Sequence, residues 1–131
     1  MRTLLLIVVV LVVLVIGAYL FLFRGSGGVD TLSPAAFVAD HEPEALILDV
    51  RTPREYRSGH LEGAININVF AGDFRERVGD FDRERSVYLY CGSGQRSGRA
   101  TAILNELGFR RAVNVGGYGD LKAAGAPVVE P

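Results

Sequence analysis

Residues 86–107 decide the fold predicted for this chain, and they read SVYLYCGSGQRSGRATAILNEL. The part before Cys91 is rich in aromatic and aliphatic side chains, as a buried strand is. From Ser97 onward apolar side chains recur at helical spacing, and Gly108 follows as a residue typical of helix ends. The segment therefore predicts a strand, a glycine-rich loop and a helix, with Cys91 where the strand ends.

The chain beyond residue 28 repeats this alternation of short apolar runs and amphipathic stretches. Ser33-Pro34 and Thr52-Pro53 each pair a capping residue with a proline, which is how many helices begin. The pattern predicts an α/β fold with a mainly parallel sheet flanked by helices. The predicted strands are 45–50, 64–67, 86–90 and 112–115, and the predicted helices are 33–40, 52–56, 70–78, 97–107 and 120–124.

The composition excludes several classes of protein. A formal net charge of −1 over 131 residues provides no basic excess for binding nucleic acid. One cysteine cannot close a disulfide within the chain, and with two histidines it cannot form a structural zinc site, so no metal and no cofactor is expected. The 16 glycines follow no period and 49% of residues are hydrophobic, which excludes collagen-like and disordered chains. A single folded domain remains.

Residues 4–23, LLLIVVVLVVLVIGAYLFLF, contain no charged side chain. As a helix these 20 residues span about 30 Å, the thickness of the hydrocarbon core of a bilayer. Arg2 and Arg24 flank the run. Residues 1–24 are therefore predicted to be a transmembrane anchor, with a cleaved signal peptide and a buried core helix as the alternatives.

The anchor is followed by residues 25–28, GSGG, which are predicted to be a flexible tether. The folded domain is then expected over residues 29–131. Arg2 and Arg24 give little difference in positive charge across the membrane. Because an N-terminal anchor with a short leading tail commonly leaves its domain outside the cytoplasm, the domain of this single-pass protein is predicted to be periplasmic or external.

Cys91 has the surroundings of a reactive thiolate. It ends a strand of an open α/β sheet, which is the edge at which such sheets bind ligands. Gly92 and Gly94 allow successive N–H groups to turn toward one atom or a small anion. The helix that follows and Arg96 both add positive charge, which favours a nucleophilic thiolate. The alternative is a small buried side chain, which needs none of these features.

Three blocks in this order resemble the rhodanese domain family across residues 29–131. They are LDVRTPREYRSGHLEGAINI at 48–67, YCGSGQRSGRA at 90–100 and NVGGYGDLKAAGAP at 114–127. The resemblance implies a five-stranded parallel sheet flanked by helices and a catalytic cysteine, Cys91, that holds a sulfane sulfur as a persulfide. It also implies a substrate-binding loop made of Gly92, Ser93, Gly94, Gln95, Arg96 and Ser97.

The length of this loop separates sulfur from phosphorus chemistry. Related phosphatases of the cell-cycle type have five residues between cysteine and arginine, whereas four separate Cys91 from Arg96 here. The shorter loop leaves less room for a tetrahedral phosphate or arsenate inside its N–H groups. A phosphatase or an arsenate reductase is therefore the less favoured alternative.

The sequence thus predicts a thiosulfate sulfurtransferase that moves sulfur from a small anionic donor to a thiol, cyanide or protein acceptor. Two other functions stay open. The first is a membrane-tethered persulfide carrier with little free turnover, and the second is a non-catalytic interaction module with an inert cysteine.

Several other residues in these blocks are expected to have structural roles. Asp49 and Arg51 stand at alternate positions where a strand ends, and they are expected to form an ion pair, with Arg51 as a secondary candidate for substrate binding. His60 is expected in a structural turn, and His41 lies among acidic residues and is expected to be solvated. The family usually has a tryptophan where this chain has Leu121, which is expected to pack in its place.

Overall fold

The computed structural model describes residues 1–22 and 28–131. Helix α1 covers Arg2–Leu22, and none of its residues is buried. Within the described ranges it is the one helix long and apolar enough to cross a membrane. Phe23, Arg24 and tether residues 25–27 lie outside the described residues, so the predicted tether is untested by the structure.

The domain alternates strands with helices as the pattern predicts. Its helices are α2 (Pro34–Asp40), α3 (Pro53–Arg57), α4 (Phe74–Gly79), α5 (Gln95–Glu106) and α6 (Tyr118–Ala123). Its strands are β1 (Leu46–Asp49), β2 (His60–Leu61), β3 (Ile65–Asn66), β4 (Val87–Cys91), β5 (Ala112–Gly117) and β6 (Val128–Val129).

The central sheet is parallel and has the strand order β3-β1-β4-β5. Within the described residues it has four strands rather than the five that the resemblance implies. At its β5 edge Thr31 makes an isolated parallel bridge to Asn114. Two backbone hydrogen bonds accompany the bridge, from Asn114 N–H to the Asp30 carbonyl at 2.8 Å and from Leu32 N–H to the Asn114 carbonyl at 2.9 Å. The fifth position is therefore occupied by a single bridge and not by a strand.

Strands β2 and β6 form a separate antiparallel pair. This pair is not predictable from the sequence pattern, because two-residue strands are too short to produce a hydrophobic period. They form through pairing between segments far apart in the chain, which brings the C-terminal residues beside the turn after α3.

Strand β4 lies at the centre of the sheet and all five of its residues are buried. Its side chains alternate between two hydrophobic clusters on opposite faces, as the period of a strand requires. Val87, Leu89 and Cys91 share one cluster with Ala100 and Leu104 of α5. Tyr88 and Tyr90 belong to the other, which also contains Phe37, Leu61 and Leu121. Leu121 is fully buried there, as expected for a residue that replaces an aromatic one.

Helix α5 begins at Gln95, two residues before the predicted start at Ser97. The helix cap is Gly94, whose φ of 93° lies in the left-handed region that favours glycine. This cap has no side chain to accept a hydrogen bond, so the usual sequence signature of a helix start is missing. The consequence is that Gln95 and Arg96 lie in the first turn of α5 and not in the loop.

Candidate active site around Cys91

The sulfur of Cys91 lies at the carboxyl end of β4, directly before α5. The N–H of Gly94 donates to Sγ at 3.0 Å, and the hydroxyl oxygen of Ser97 lies 3.3 Å from Sγ. Cys91 has no exposed surface, whereas Gly92 and Ser93 beside it are exposed. The loop therefore closes around the sulfur and presents two of its own residues to solvent.

The local polar groups favour the charged form of this cysteine. Burial raises the pKa of Cys91, but the Ser97 hydroxyl and the N–H groups of Ser97, Ser93 and Gly94 lower it by more. The net result is a pKa below the ordinary value for a thiol. Because the thiolate is the nucleophilic form of cysteine, this site can perform nucleophilic chemistry at sulfur.

Arg96 is positioned by an acidic partner that lies far from it in the sequence. Its Nη1 and Nη2 donate to the two carboxylate oxygens of Glu55, at 2.7 and 2.9 Å. The guanidinium passes close over Gly92, where a β-carbon would lie only 3.0 Å from Nη2. The charge of Cys91 also contributes to a raised pKa of Arg96, after the hydrogen bond to Glu55. The arginine therefore lies beside the thiol loop, but its charge is shared with a carboxylate.

The Glu55 side chain is held in place by hydrogen bonds at the N-terminal end of α3. The Thr52 hydroxyl accepts from the Glu55 N–H at 3.3 Å, and the Glu55 carboxylate accepts from the Thr52 N–H at 3.3 Å, which is a capping box. Hydrogen bonding from Arg96 lowers the pKa of Glu55 to about 2. The carboxylate is therefore charged at neutral pH. The Thr-x-x-Glu spacing is the sequence signal that could have identified Glu55 as a residue with a fixed orientation.

Asn114 joins the loop to strand β5. Its Oδ1 accepts from the Ser97 hydroxyl at 2.7 Å and from Gly116 N–H at 3.1 Å. Its Nδ2 donates to the Gly94 carbonyl at 2.9 Å. Asn114 is a polar residue within an otherwise apolar strand pattern, and this is the signal in the sequence that marks it as a functional candidate.

Arg51 lies in a different environment from Arg96. Its Nε and Nη2 bind the carboxylate of Asp49, at 2.7 Å for the shortest contact, and Nη2 also donates to the Gly59 carbonyl at 2.6 Å. The guanidinium carbon lies 4.6 Å from the centre of the Tyr118 ring, and Arg51 is 5% exposed. The predicted ion pair is confirmed. The donors that bind Asp49 and Gly59 are used within the protein, so these contacts do not support the secondary assignment of Arg51 to substrate binding.

The two histidines have structural contacts. His60 stacks on Tyr56 with ring centres 3.7 Å apart, and its Nδ1 lies 2.8 Å from the Tyr56 carbonyl. His41 stacks on Phe37 at 4.5 Å, with Nδ1 2.9 Å from the Phe37 carbonyl. The expectation of a solvated His41 holds only in part, because this residue caps the C-terminal end of α2, is half-buried and stacks on that helix.

The structure thus brings Cys91, Gly94, Arg96 and Ser97 together, with Glu55 and Asn114 as further members of the same site. Gly92, Ser93 and Gln95 are exposed around it, and Arg51 belongs to the buried ion pair.

Comparisons with known proteins show the family to which the chain belongs. The family model described as "Rhodanese-like domain" matches residues 34–124. Thiosulfate sulfurtransferase PspE of Escherichia coli is 37% identical over 87 residues, which cover 65% of this chain and 77% of that protein. A protein named sulfurtransferase from Allochromatium vinosum is 33% identical over 104 residues, 79% of this chain and 94% of that protein.

Solved structures give the same result. A rhodanese with anions from E. coli superposes with a TM-score of 0.57 at 34% identity, covering 66% of this chain and 99% of that one. A rhodanese-related protein from Thermoplasma volcanium has a TM-score of 0.67 at 28% identity, covering 76% of this chain and 97% of that one. Since the family model, the sequence relatives and the fold agree on the same segment, this chain belongs to the rhodanese-like sulfurtransferase family.

Proposed function

We propose that this protein is a thiosulfate-type sulfurtransferase in which Cys91 carries the sulfur as a persulfide. The observation that carries the proposal is the setting of Sγ, which accepts the Gly94 N–H at 3.0 Å at the end of a buried strand. A cysteine with only a packing role has no need of an inward N–H group. The lowered pKa of Cys91 supports the same role.

The reaction has two steps. In the first, the Cys91 thiolate attacks the outer sulfur of thiosulfate; a new S–S bond forms and the old one breaks, and its electron pair leaves with sulfite. In the second, an acceptor thiolate, cyanide or a protein nucleophile attacks the outer sulfur of the persulfide, and the electron pair returns to Cys91. Both steps move a sulfur atom between anions, which suits a loop of N–H donors near a guanidinium.

Loop size supports sulfur over phosphorus as the transferred element. Gly94 N–H is already bound to Sγ, and the guanidinium of Arg96 lies close over Gly92. This arrangement leaves room for a donor that transfers a single sulfur atom to Sγ. It suits a tetrahedral phosphate less well, because phosphate needs several N–H donors at once. Phosphate esters and arsenate are therefore the disfavoured substrates.

We also propose that α1 anchors the domain to a membrane and that the domain faces the periplasm or the exterior. The support is a 21-residue helix with no buried residue and a length that matches a bilayer core. Protease treatment of intact cells tests the orientation. Digestion of the domain is the expected result, and protection under conditions that digest known external domains would contradict it.

A second candidate function has one observation in its favour. Cys91 has no exposed surface, which is also the state of an inert cysteine in a non-catalytic interaction module. In the enzyme, the donor reaches the sulfur across the exposed residues Gly92 and Ser93. The two functions therefore differ in whether small anions reach Sγ.

Intact-mass analysis after exposure to thiosulfate distinguishes these functions. Cys91 is the sole cysteine, so the mass of one added sulfur is assigned to it without ambiguity, and Cys91→Ser is the matched control. Persulfide formation with turnover to cyanide or a thiol is the result expected for the enzyme. Persulfide without turnover would identify a carrier, and no mass change would leave the interaction module.

A further inference from the structure

The side chain of Asn114 lies on the face of β5 that also carries Ala112, which packs in the same cluster as Cys91, and it reaches the Cys91 loop. Asn114 pairs with Leu89 of β4, but the next pair joins Gly116 to Tyr90, so one residue of β5 has no partner. The alternation of side chains is kept up to this bulge, since Val113 and Val115 lie in the cluster on the other face of the sheet. Gly116 has a φ of 97°, and its N–H donates to Asn114 Oδ1. The backbone thus holds the amide in one place.

The orientation of the Asn114 amide is determined by its neighbours. Nδ2 faces the Gly94 carbonyl, which only accepts, and Oδ1 faces the Gly116 N–H, which only donates. Exchanging the two amide atoms would set oxygen against oxygen and N–H against N–H. The atom that lies 2.7 Å from the Ser97 hydroxyl is therefore an oxygen.

The Ser97 hydroxyl has one hydrogen and two neighbours that could receive it. Because Asn114 Oδ1 carries no hydrogen, the 2.7 Å contact requires Ser97 to donate. The Ser97 oxygen then presents a lone pair to Sγ at 3.3 Å, where it can accept the S–H of a neutral thiol. To stabilise a thiolate, the same hydrogen must rotate from Oδ1 to Sγ.

We propose that Asn114 is a positioning residue that sets the protonation state of Cys91 by competing with its sulfur for the hydrogen of Ser97. With the hydrogen on Oδ1 the thiolate lacks the hydrogen bond that the Ser97 hydroxyl otherwise donates to Sγ. When the thiol proton leaves to solvent, the hydroxyl turns to Sγ, and Oδ1 keeps the Gly116 N–H. This inference rests on the proposed sulfur transfer and specifies how its nucleophile is generated.

The variants Asn114→Ala and Ser97→Ala change none of the charged groups near the sulfur, whereas Asn114→Asp adds one. Arg96 and Glu55 face the sulfur from α5 and α3, and the buried ion pair and two tyrosines lie on the adjoining elements. The titratable and charged groups kept in every variant are Asp49, Arg51, Glu55, Tyr90, Arg96 and Tyr118.

The pH dependence of alkylation by iodoacetamide measures the pKa of Cys91 in the full chain, held in detergent micelles, because no other cysteine reacts. At pH values below that pKa, Asn114→Ala is expected to raise the thiolate fraction by roughly three- to tenfold. This is the change that the free energy of one hydrogen bond produces. Asn114→Asp keeps the acceptor and adds a negative charge, so it is expected to lower the thiolate fraction. Loop damage alone does not predict opposite signs for the two variants.

Ser97→Ala supplies the decisive background. Without the hydroxyl there is no hydrogen to compete for, so adding Asn114→Ala should leave the thiolate fraction within about twofold. The rise expected for Asn114→Ala in the Ser97 protein and its loss in the Ser97→Ala protein support the proposal. An equal rise in both backgrounds, or a fall in the Ser97 protein, would overturn it. If Asn114→Ala does not fold, Asn114→Asp is compared in the same two backgrounds, and its effect must shrink in Ser97→Ala.

Failure of this inference is distinguishable from failure of the proposed function, since alkylation requires no sulfur transfer. A coupled pKa change in a protein that gains no sulfur from thiosulfate would refute the sulfurtransferase and leave the hydrogen-bond competition standing. Sulfur transfer with no coupling between Asn114 and Ser97 would refute the role of Asn114 alone.

Discussion

Arg51 and Arg96 follow the carboxyl ends of neighbouring strands, and each binds a carboxylate at 2.7 Å, yet their surroundings differ. The Arg51 side chain is 6% exposed and is held by Asp49 and the Gly59 carbonyl. The Arg96 side chain is 25% exposed and its partner Glu55 is 36% exposed. A buried pair with further hydrogen bonds orders the protein around it, whereas a partly solvated pair beside a cysteine remains available to a ligand.

The largest effect is expected from removing the partner of Arg51. Asp49→Ala leaves a buried guanidinium and the Tyr90 hydroxyl without their acceptor, and should lower the free energy of unfolding by about 3–5 kcal/mol. Urea unfolding of the full chain in mild detergent measures it. A loss below about 1 kcal/mol would mean that the pair behaves like a surface ion pair.

Arg96→Ala should give the opposite pattern, with a large effect on activity and a small one on stability. Loss of a charge near the transferred sulfur is expected to lower kcat/KM. The expected loss of transition-state stabilisation is about 2–4 kcal/mol. The free energy of unfolding should fall by about 1 kcal/mol or less, because the pair is partly exposed. Arg75→Ala is the matched control, since Arg75 also pairs with a glutamate on the surface. Full turnover in Arg96→Ala would remove this arginine from the site.

The Glu55–Arg96 pair should also contribute to acid sensitivity. The pKa of Glu55 is lowered from 4.5 to about 2 by Arg96, so its stabilising effect is complete above pH 4.5 and is lost as the pH falls toward 2. Wild type should therefore lose stability over this window more steeply than Glu55→Gln, with Glu106→Gln as the exposed control. Parallel stability curves for wild type and Glu55→Gln would contradict the low pKa.

The smallest effect is expected from salt. Attraction between the site and an anionic donor should weaken as ionic strength rises, but Glu55 offsets much of the charge of Arg96, so a tenfold increase in salt should lower kcat/KM only about two- to threefold. Glu55→Gln should make the salt dependence steeper, because Arg96 then acts without its carboxylate. A steeper dependence in wild type than in Glu55→Gln would show that Glu55 does not offset Arg96.

Much of the fold was predictable because periodicity and capping are local. The apolar runs gave β1, β4 and β5, and the proline-capped starts gave α2 and α3. The pair β2–β6 and the single bridge at Thr31 were not predictable, since both depend on pairing between distant segments. The start of α5 was displaced by two residues because its cap is a glycine.

The candidate site divides in the same way. Local sequence places Cys91 at a strand end, and the spacing to Arg96 and the glycines around it mark a reactive loop, because these relations span only a few residues. Glu55 and Asn114 reach the loop from 41 and 17 residues away in the chain, and their contacts depend on how α3 and β5 pack. Only the tertiary structure therefore decided that the charge of Arg96 is paired and which atoms compete for the hydrogen of Ser97. The physical reason is that hydrogen-bond partners are set by distances between side chains and not by their order in the chain.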